Sequence, residues 1–109
     1  VLGKYRPFRF INMRHFILTP DKLVRQTDLI TWGNFLQKDK SRVIGYNIIE
    51  NVIISTVFVG LEGQLFETGV ITPYKGMIIV NTYQTYEEAL KGHRDTCWSY
   101  IDILEDLIT

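Results

Sequence analysis

The stretch from Thr85 to the C-terminus constrains this chain most. Tyr86, Leu90, His93, Cys97, Tyr100, Leu104 and Leu107 recur at intervals of 4, 3, 4, 3, 4 and 3, the repeat of one helical face. Thr85-Tyr86-Glu87-Glu88 opens it as a capping box, in which the Thr hydroxyl takes one orphan amide and the Glu three residues on reaches back for another. Glu87 and Glu88 also lie at the positive end of the helix dipole. The spacing predicts one helix over about 85–107, roughly six turns long. Within it, Glu87 and Lys91 are spaced for an i,i+4 ion pair. Gly92 interrupts the helix at a cost of up to about 1 kcal/mol relative to Ala, which a close approach to a sheet or another helix would explain.

Ile101, Ile103 and Ile108 widen the apolar stripe toward the end. That width exceeds what one side of a small sheet covers. The surplus points to a subunit contact through Cys97, Tyr100, Ile101, Leu104, Leu107 and Ile108.

What the helix lies on is legible upstream. His15 to Leu18 reads as a short strand, Thr19-Pro20-Asp21 as a turn, and Lys22 to Gln26 as the returning strand. Thr27 or Asp28 offers an N-cap for a short helix over about 28–37, with Leu29, Trp32 and Leu36 on one face. After the polar connection 38–41, Arg42 to Ile49 reads as a strand that breaks at Glu50-Asn51. Val52 to Leu61 (VIISTVFVGL) is dense in β-branched residues, which suit a pleated, packed surface. Glu62-Gly63 is a turn, Gln64 to Thr72 a strand, Pro73 to Gly76 a turn, and Met77 to Asn81 a last strand. Short turns between successive strands imply antiparallel pairing. The fold class is therefore α+β: an antiparallel sheet of four to six strands, one short helix, and one long C-terminal helix packed on one face.

Residues 1–12 interleave basic and aromatic side chains, and Met13 reads as a true start. The segment is expected to be an N-terminal extension, flexible or non-native, ahead of a single domain over 13–109. A length of 109 residues with 46% hydrophobics and one cysteine fits one modest core. Disorder, collagen and disulfide scaffolds are excluded. The apolar runs fall far short of the roughly 20 residues that a membrane helix needs, no signal peptide is read, and the lone Cys97 fits a reducing compartment. The expected location is the cytoplasm.

Net charge is zero, but it is unevenly spread. Residues 1–27 carry Lys4, Arg6, Arg9, Arg14, Lys22 and Arg25 against Asp21. Residues 85–109 carry six acids against Lys91 and Arg94. Such a dipolar chain suits head-to-tail pairing with its own copies or an acidic partner at the front.

Catalytic chemistry finds little purchase. His93 and Cys97 share a helical face, yet two ligands do not make a metal site, and a packed histidine beside a buried thiol is the better reading. As a nucleophile, Cys97 would stand mid-helix, away from the N-terminal amides that stabilise a thiolate. No glycine-rich loop leads from a strand into a helix, so phosphate-cradle motifs fail. Glu67 interrupts an apolar strand. By alternation, Leu65, Glu67, Gly69 and Ile71 share one face while Phe66, Thr68 and Val70 share the other, which makes Glu67 a partly exposed sheet residue or a paired polar contact. Arg42, Thr56, Glu67 and His93 are the candidate ligand- or partner-binding residues. No catalytic residue, metal site or cofactor is expected. A hydrolase using Glu67 and His93 would require those side chains to meet across a cleft. Tyr5, Arg6, Phe8, Arg9 and Phe10 have the composition of single-strand binders, but a neutral chain without a motif argues against nucleic acid.

Ile54-Ser55-Thr56-Val57-Phe58-Val59-Gly60-Leu61 followed by Leu65-Phe66-Glu67-Thr68 resembles the "VSTVFLGLD…LLFET" core of a group of small phage and prophage proteins with no established activity. Thr82 to His93 is similar to their "RYSTWEEALAGH" ending, Asp28-Leu29 with Trp32 to their "DLLTWARWF" helix, and Arg42-Val43 to the basic "RRVA" that follows. The likeness covers roughly residues 14–93. It departs at Glu62-Gly63, where the group has "DH", in the shorter loop before Leu65, at Thr72 to Lys75 in place of a glycine-rich stretch, and at Tyr86 in place of Trp. The resemblance implies a phage or prophage source. With the surplus helix face, it leads to a small non-enzymatic protein that binds a host or phage protein, as a homo-oligomer. The alternative is a sponge-like binder of a host nucleotide signal, its basic front gripping phosphate and its aromatic residues stacking a base. Neither reading involves a membrane.

Overall fold

A computed structural model describes residues 13–108, with side chains as far as Ile103. The expected extension over 1–12 lies outside the described residues. The elements run β1 (His15–Leu18), β2 (Val24–Thr27), α1 (Leu29–Lys38), a single 3-10 turn (Lys40–Arg42), β3 (Val43–Ile49), β4 (Val52–Leu61), β5 (Gln64–Thr72), β6 (Gly76–Tyr83) and α2 (Tyr86–Ile108). One six-stranded antiparallel sheet results, in the order β2-β1-β4-β5-β6, with β3 also paired to β4. This is the α+β architecture that the sequence predicts. No helix among the described residues is long and apolar enough to cross a membrane.

β4 is the spine. β3 pairs with its first half, from Val52 to Val57, and β5 runs along the other edge. β1 meets β4 only at its end, through His15 opposite Leu61. The register slips between Phe58 and Leu61, and Gly60 takes a φ of 75°, the marks of a β-bulge. A bulge withdraws backbone groups from the ladder, and they need other partners. Here the Trp32 indole Nε1–H donates to the Val59 carbonyl at 2.9 Å, which fastens α1 to the sheet. Asp28 supplies the α1 N-cap, accepting from the Thr31 amide at 2.8 Å.

Alternation along β4 and β5 buries Ile54, Thr56 and Phe58 with Phe66, Thr68 and Val70. Phe58 stands at the centre, edge-on to Phe35 of α1 and to Phe66, with ring centroids 5.8 Å and 5.0 Å away. Leu18, Tyr83 and Ala89 complete the cluster. α2 lies across β3, β4, β5 and β6 on this side, and its capping box forms as expected. The Glu88 amide donates to Thr85 Oγ1, and Glu88 Oε1 accepts from the Thr85 amide, both at 3.1 Å.

Three details of α2 differ from the sequence reading. Its buried seam runs through Ala89, one residue from Leu90, which is partly exposed. A helix of 3.6 residues per turn drifts from a strict 3–4 alternation, which moves the seam by one position here. Lys91 pairs with Asp95 at 2.6 Å rather than with Glu87, since it has a carboxylate one turn away on either side and takes the C-terminal one. Of the expected interface residues, Cys97, Tyr100 and Ile101 are half-buried within the protomer, while Leu104, Leu107 and Ile108 lie outside the described side chains.

Candidate functional site

The two faces of the sheet present opposite chemistry. The face under α2 hides a polar chain. Asn47 Oδ1 lies 2.7 Å from His93 Nε2, and His93 Nδ1 lies 2.7 Å from Thr56 Oγ1. Thr56 Oγ1 lies 2.6 Å from Thr68 Oγ1, which lies 3.1 Å from the Tyr83 hydroxyl. An amide oxygen can only accept, so the proton sits on Nε2 of His93. Nδ1 of the neutral ring then accepts from Thr56, Thr56 accepts from Thr68, and Thr68 accepts from Tyr83. Every donor in the row finds an acceptor, as burial demands. Burial also pushes the His93 pKa below its ordinary value, in keeping with a neutral ring.

Two glycines make the row possible. A Cβ on Gly45 would stand 2.6 Å from His93 Cδ2, and one on Gly92 would run into the Tyr83 ring. The close helix–sheet approach expected at Gly92 is thus present, against the last residue of β6.

A hydroxyl, an imidazole and an amide in this order have the hydrogen-bond pattern of a nucleophilic triad. Thr56, however, is 0% exposed, and no substrate carbonyl can reach its oxygen. Both nitrogens of His93 are already engaged, which leaves no lone pair for a metal. No group of three potential metal-ligating side chains converges among the described residues. Burial pushes the Cys97 thiol up, away from thiolate. A second buried histidine, His15, packs at a tilt against Trp32, with ring centroids 4.8 Å apart, and its Nε2 has no hydrogen-bond partner among the described residues.

Of the four candidate binding residues, the structure joins Thr56 and His93 only. Glu67 is half-buried and faces away from α2, opposite Val57 and Thr82. The sheet stands between Glu67 and His93, so the pairing a hydrolase would require does not form: alternation sends odd positions of β5 to one side and even positions to the other. Arg42 closes the 3-10 turn, half-exposed and outside the polar row. Asn47, Thr68 and Tyr83 were not singled out from the sequence. A threonine between Phe66 and Val70 on one face of a strand was the available signal, because a polar group there needs a partner.

The opposite face carries neither helix, and the strand registers arrange it in three rows. Val43, Val57, Glu67 and Thr82 form one, Tyr46, Ser55, Gly69 and Ile79 the next, and Ile48, Ile53, Ile71 and Met77 the last. Glu67 is the one acidic or basic side chain in these rows. Ile48 and Met77 are each 62% exposed and Ile79 42%. Met77 folds over Gly69, its Sδ 3.2 Å from where a Cβ would stand, which fills the gap and flattens the face.

A separate groove of about 440 Å³ lies where α1 meets β1, lined by Ile17, Phe35, Thr31, Asn34, Lys38, Asp39 and Lys40. Trp32, expected on the apolar face of α1, serves the bulge.

These features define an α+β protein with a sealed polar row and an open apolar face. No protein-family model matches the chain, no curated protein matches it, and no solved structure matches it.

Proposed function

We propose that this chain is a small non-enzymatic protein of phage type that acts by binding, assembles with its own copies, and engages a host or phage protein in the host cytoplasm. The observation that carries the reading is the bare apolar face. β3 exposes Tyr46 and Ile48 and β6 exposes Met77 and Ile79 to water, on either side of the half-buried Ile53 and Ile71, and apolar exposure grouped on one face marks interaction surfaces. The hydroxyl–imidazole pair of Thr56 and His93 is sealed from solvent, and the exposed hydroxyl–carboxylate pairs Thr31–Asp28 and Thr85–Glu88 serve as helix caps, which supports binding over turnover. The phage assignment is supported by the motifs at Ile54 to Thr68 and Thr82 to His93. Light scattering over a micromolar dilution series tests the assembly, with a mass above that of the single chain expected. A strict monomer at high micromolar concentration overturns that half of the proposal, and a tagged chain that retains no protein from host lysate overturns the other.

The groove between α1 and β1 favours a second reading, a nucleotide binder. Lys38 and Lys40 flank Phe35 and Asn34 there, offering cations for phosphate and a ring for a base. Thermal-shift measurements with cyclic and linear nucleotides decide it. A bound ligand raises the melting temperature, and no shift at millimolar ligand removes the reading.

A further inference from the structure

We infer that the open face of the sheet is closed by a second copy of this chain, sheet packed on sheet about a twofold axis. The inference rests on the binding reading above and names the surface and its occupant. The three rows across four strands give a flat footprint of about 400 Å², from strand spacings of roughly 4.8 Å and row spacings of roughly 6.8 Å. Side-chain relief over two copies brings the total to the roughly 1,000 Å² at which specific interfaces begin.

The shape selects the occupant. Small molecules need concavity, and Met77 packs over the space a Cβ at Gly69 would fill. A flat, twisted surface of branched side chains fits another of its kind, as the inner faces of β-sandwiches do. The charge selects it too. The row of Ile48, Ile53, Ile71 and Met77 has no polar side chain, so it offers a charged partner nothing to pair with. Glu67 lies in the outermost row, at the rim, where interfaces keep their polar groups. A twofold contact requires one self-complementary patch, and an uncharged apolar centre is complementary to itself.

The placement differs from the one expected at the end of α2, and sedimentation separates the two. Wild-type chain, Ile48→Glu, Tyr46→Glu and Trp98→Glu are compared at high micromolar concentration, with circular dichroism as the check on folding. All three substituted residues are more than half exposed in the protomer, so each variant is expected to fold. The expected result is a wild-type dimer, weakened about tenfold or more by Ile48→Glu and by Tyr46→Glu, and unchanged by Trp98→Glu. An assembly that survives both sheet variants overturns the sheet contact and leaves the binding reading standing, whether or not Trp98→Glu weakens it. A wild-type monomer removes the self-assembly on which both rest.

Discussion

The two faces of this sheet differ in how far the protomer completes them. The face that α2 covers sets a polar row of Thr56, Thr68, Tyr83 and His93 beside the apolar core of Ile54, Phe58, Phe66 and Val70. The face that no described helix covers shows Ile48, Met77 and Ile79 to water. The covered polar row is stable because each donor meets an acceptor and the ring stays neutral. The bare face needs no such pairing, but it leaves apolar area hydrated, at roughly 25 cal/mol per Å². One face is finished within the protomer, and on the proposed reading the other is finished by assembly. Substitutions on the first should therefore register in folding, and substitutions on the second in association.

The largest folding effect is expected at Phe58. Truncation by Phe58→Ala, with Phe35 and Phe66 left around the void, should cost about 3–5 kcal/mol in chemical denaturation. In the polar row, Thr68→Val keeps the shape but leaves Tyr83 without an acceptor and Thr56 without a donor. A loss of about 1–3 kcal/mol is expected. A neutral outcome would mean that the row is not an obligatory network.

At the start of α2, Thr85→Ala removes the hydroxyl of the capping box and should cost about 1 kcal/mol. The His93 pKa is lowered by burial in the folded chain, so the unfolded chain binds more protons in the window just below its ordinary value of 6.5. Stability is full above that value and falls as the pH drops through the lower folded-state pKa. Protonation also makes Nδ1 a donor, which takes away the acceptor of the Thr56 hydroxyl and disturbs the row. Urea melts between about pH 7.5 and 5.5 should show the decline, and His93→Leu should flatten it.

The smallest folding effect belongs to the bare face. Ile48→Glu should leave the protomer within about 0.5 kcal/mol of wild type while weakening its assembly. A large loss of protomer stability there would erase the distinction between the faces.

The order and type of the elements were legible because local rules set them. Val52–Leu61 and Gln64–Thr72 stand where β-branching and turn residues place them. Asp28 and the Thr85–Glu88 box start the two helices. Alternation along β5 assigned Glu67 and Thr68 to opposite faces before any coordinates. Alternation does not say which face receives a helix, however, and the apolar surplus was placed on α2 because its stripe could be counted. The exposed rows of β3 to β6 escaped notice because each strand contributes only two or three residues to them. Trp32 was read as a face of α1, and its bond to the Val59 carbonyl has no local signature, since a bulge announces itself only in the partner's register.

By itself, then, the sequence determined the helices, the strands and the side of each strand on which a residue falls, since periodicity and capping act within a few residues. Only the tertiary structure decided that Asn47, His93, Thr56, Thr68 and Tyr83 form one row and that the sheet is left half-covered. Those outcomes depend on strand register and on where α2 crosses, which contacts distant along the chain set together.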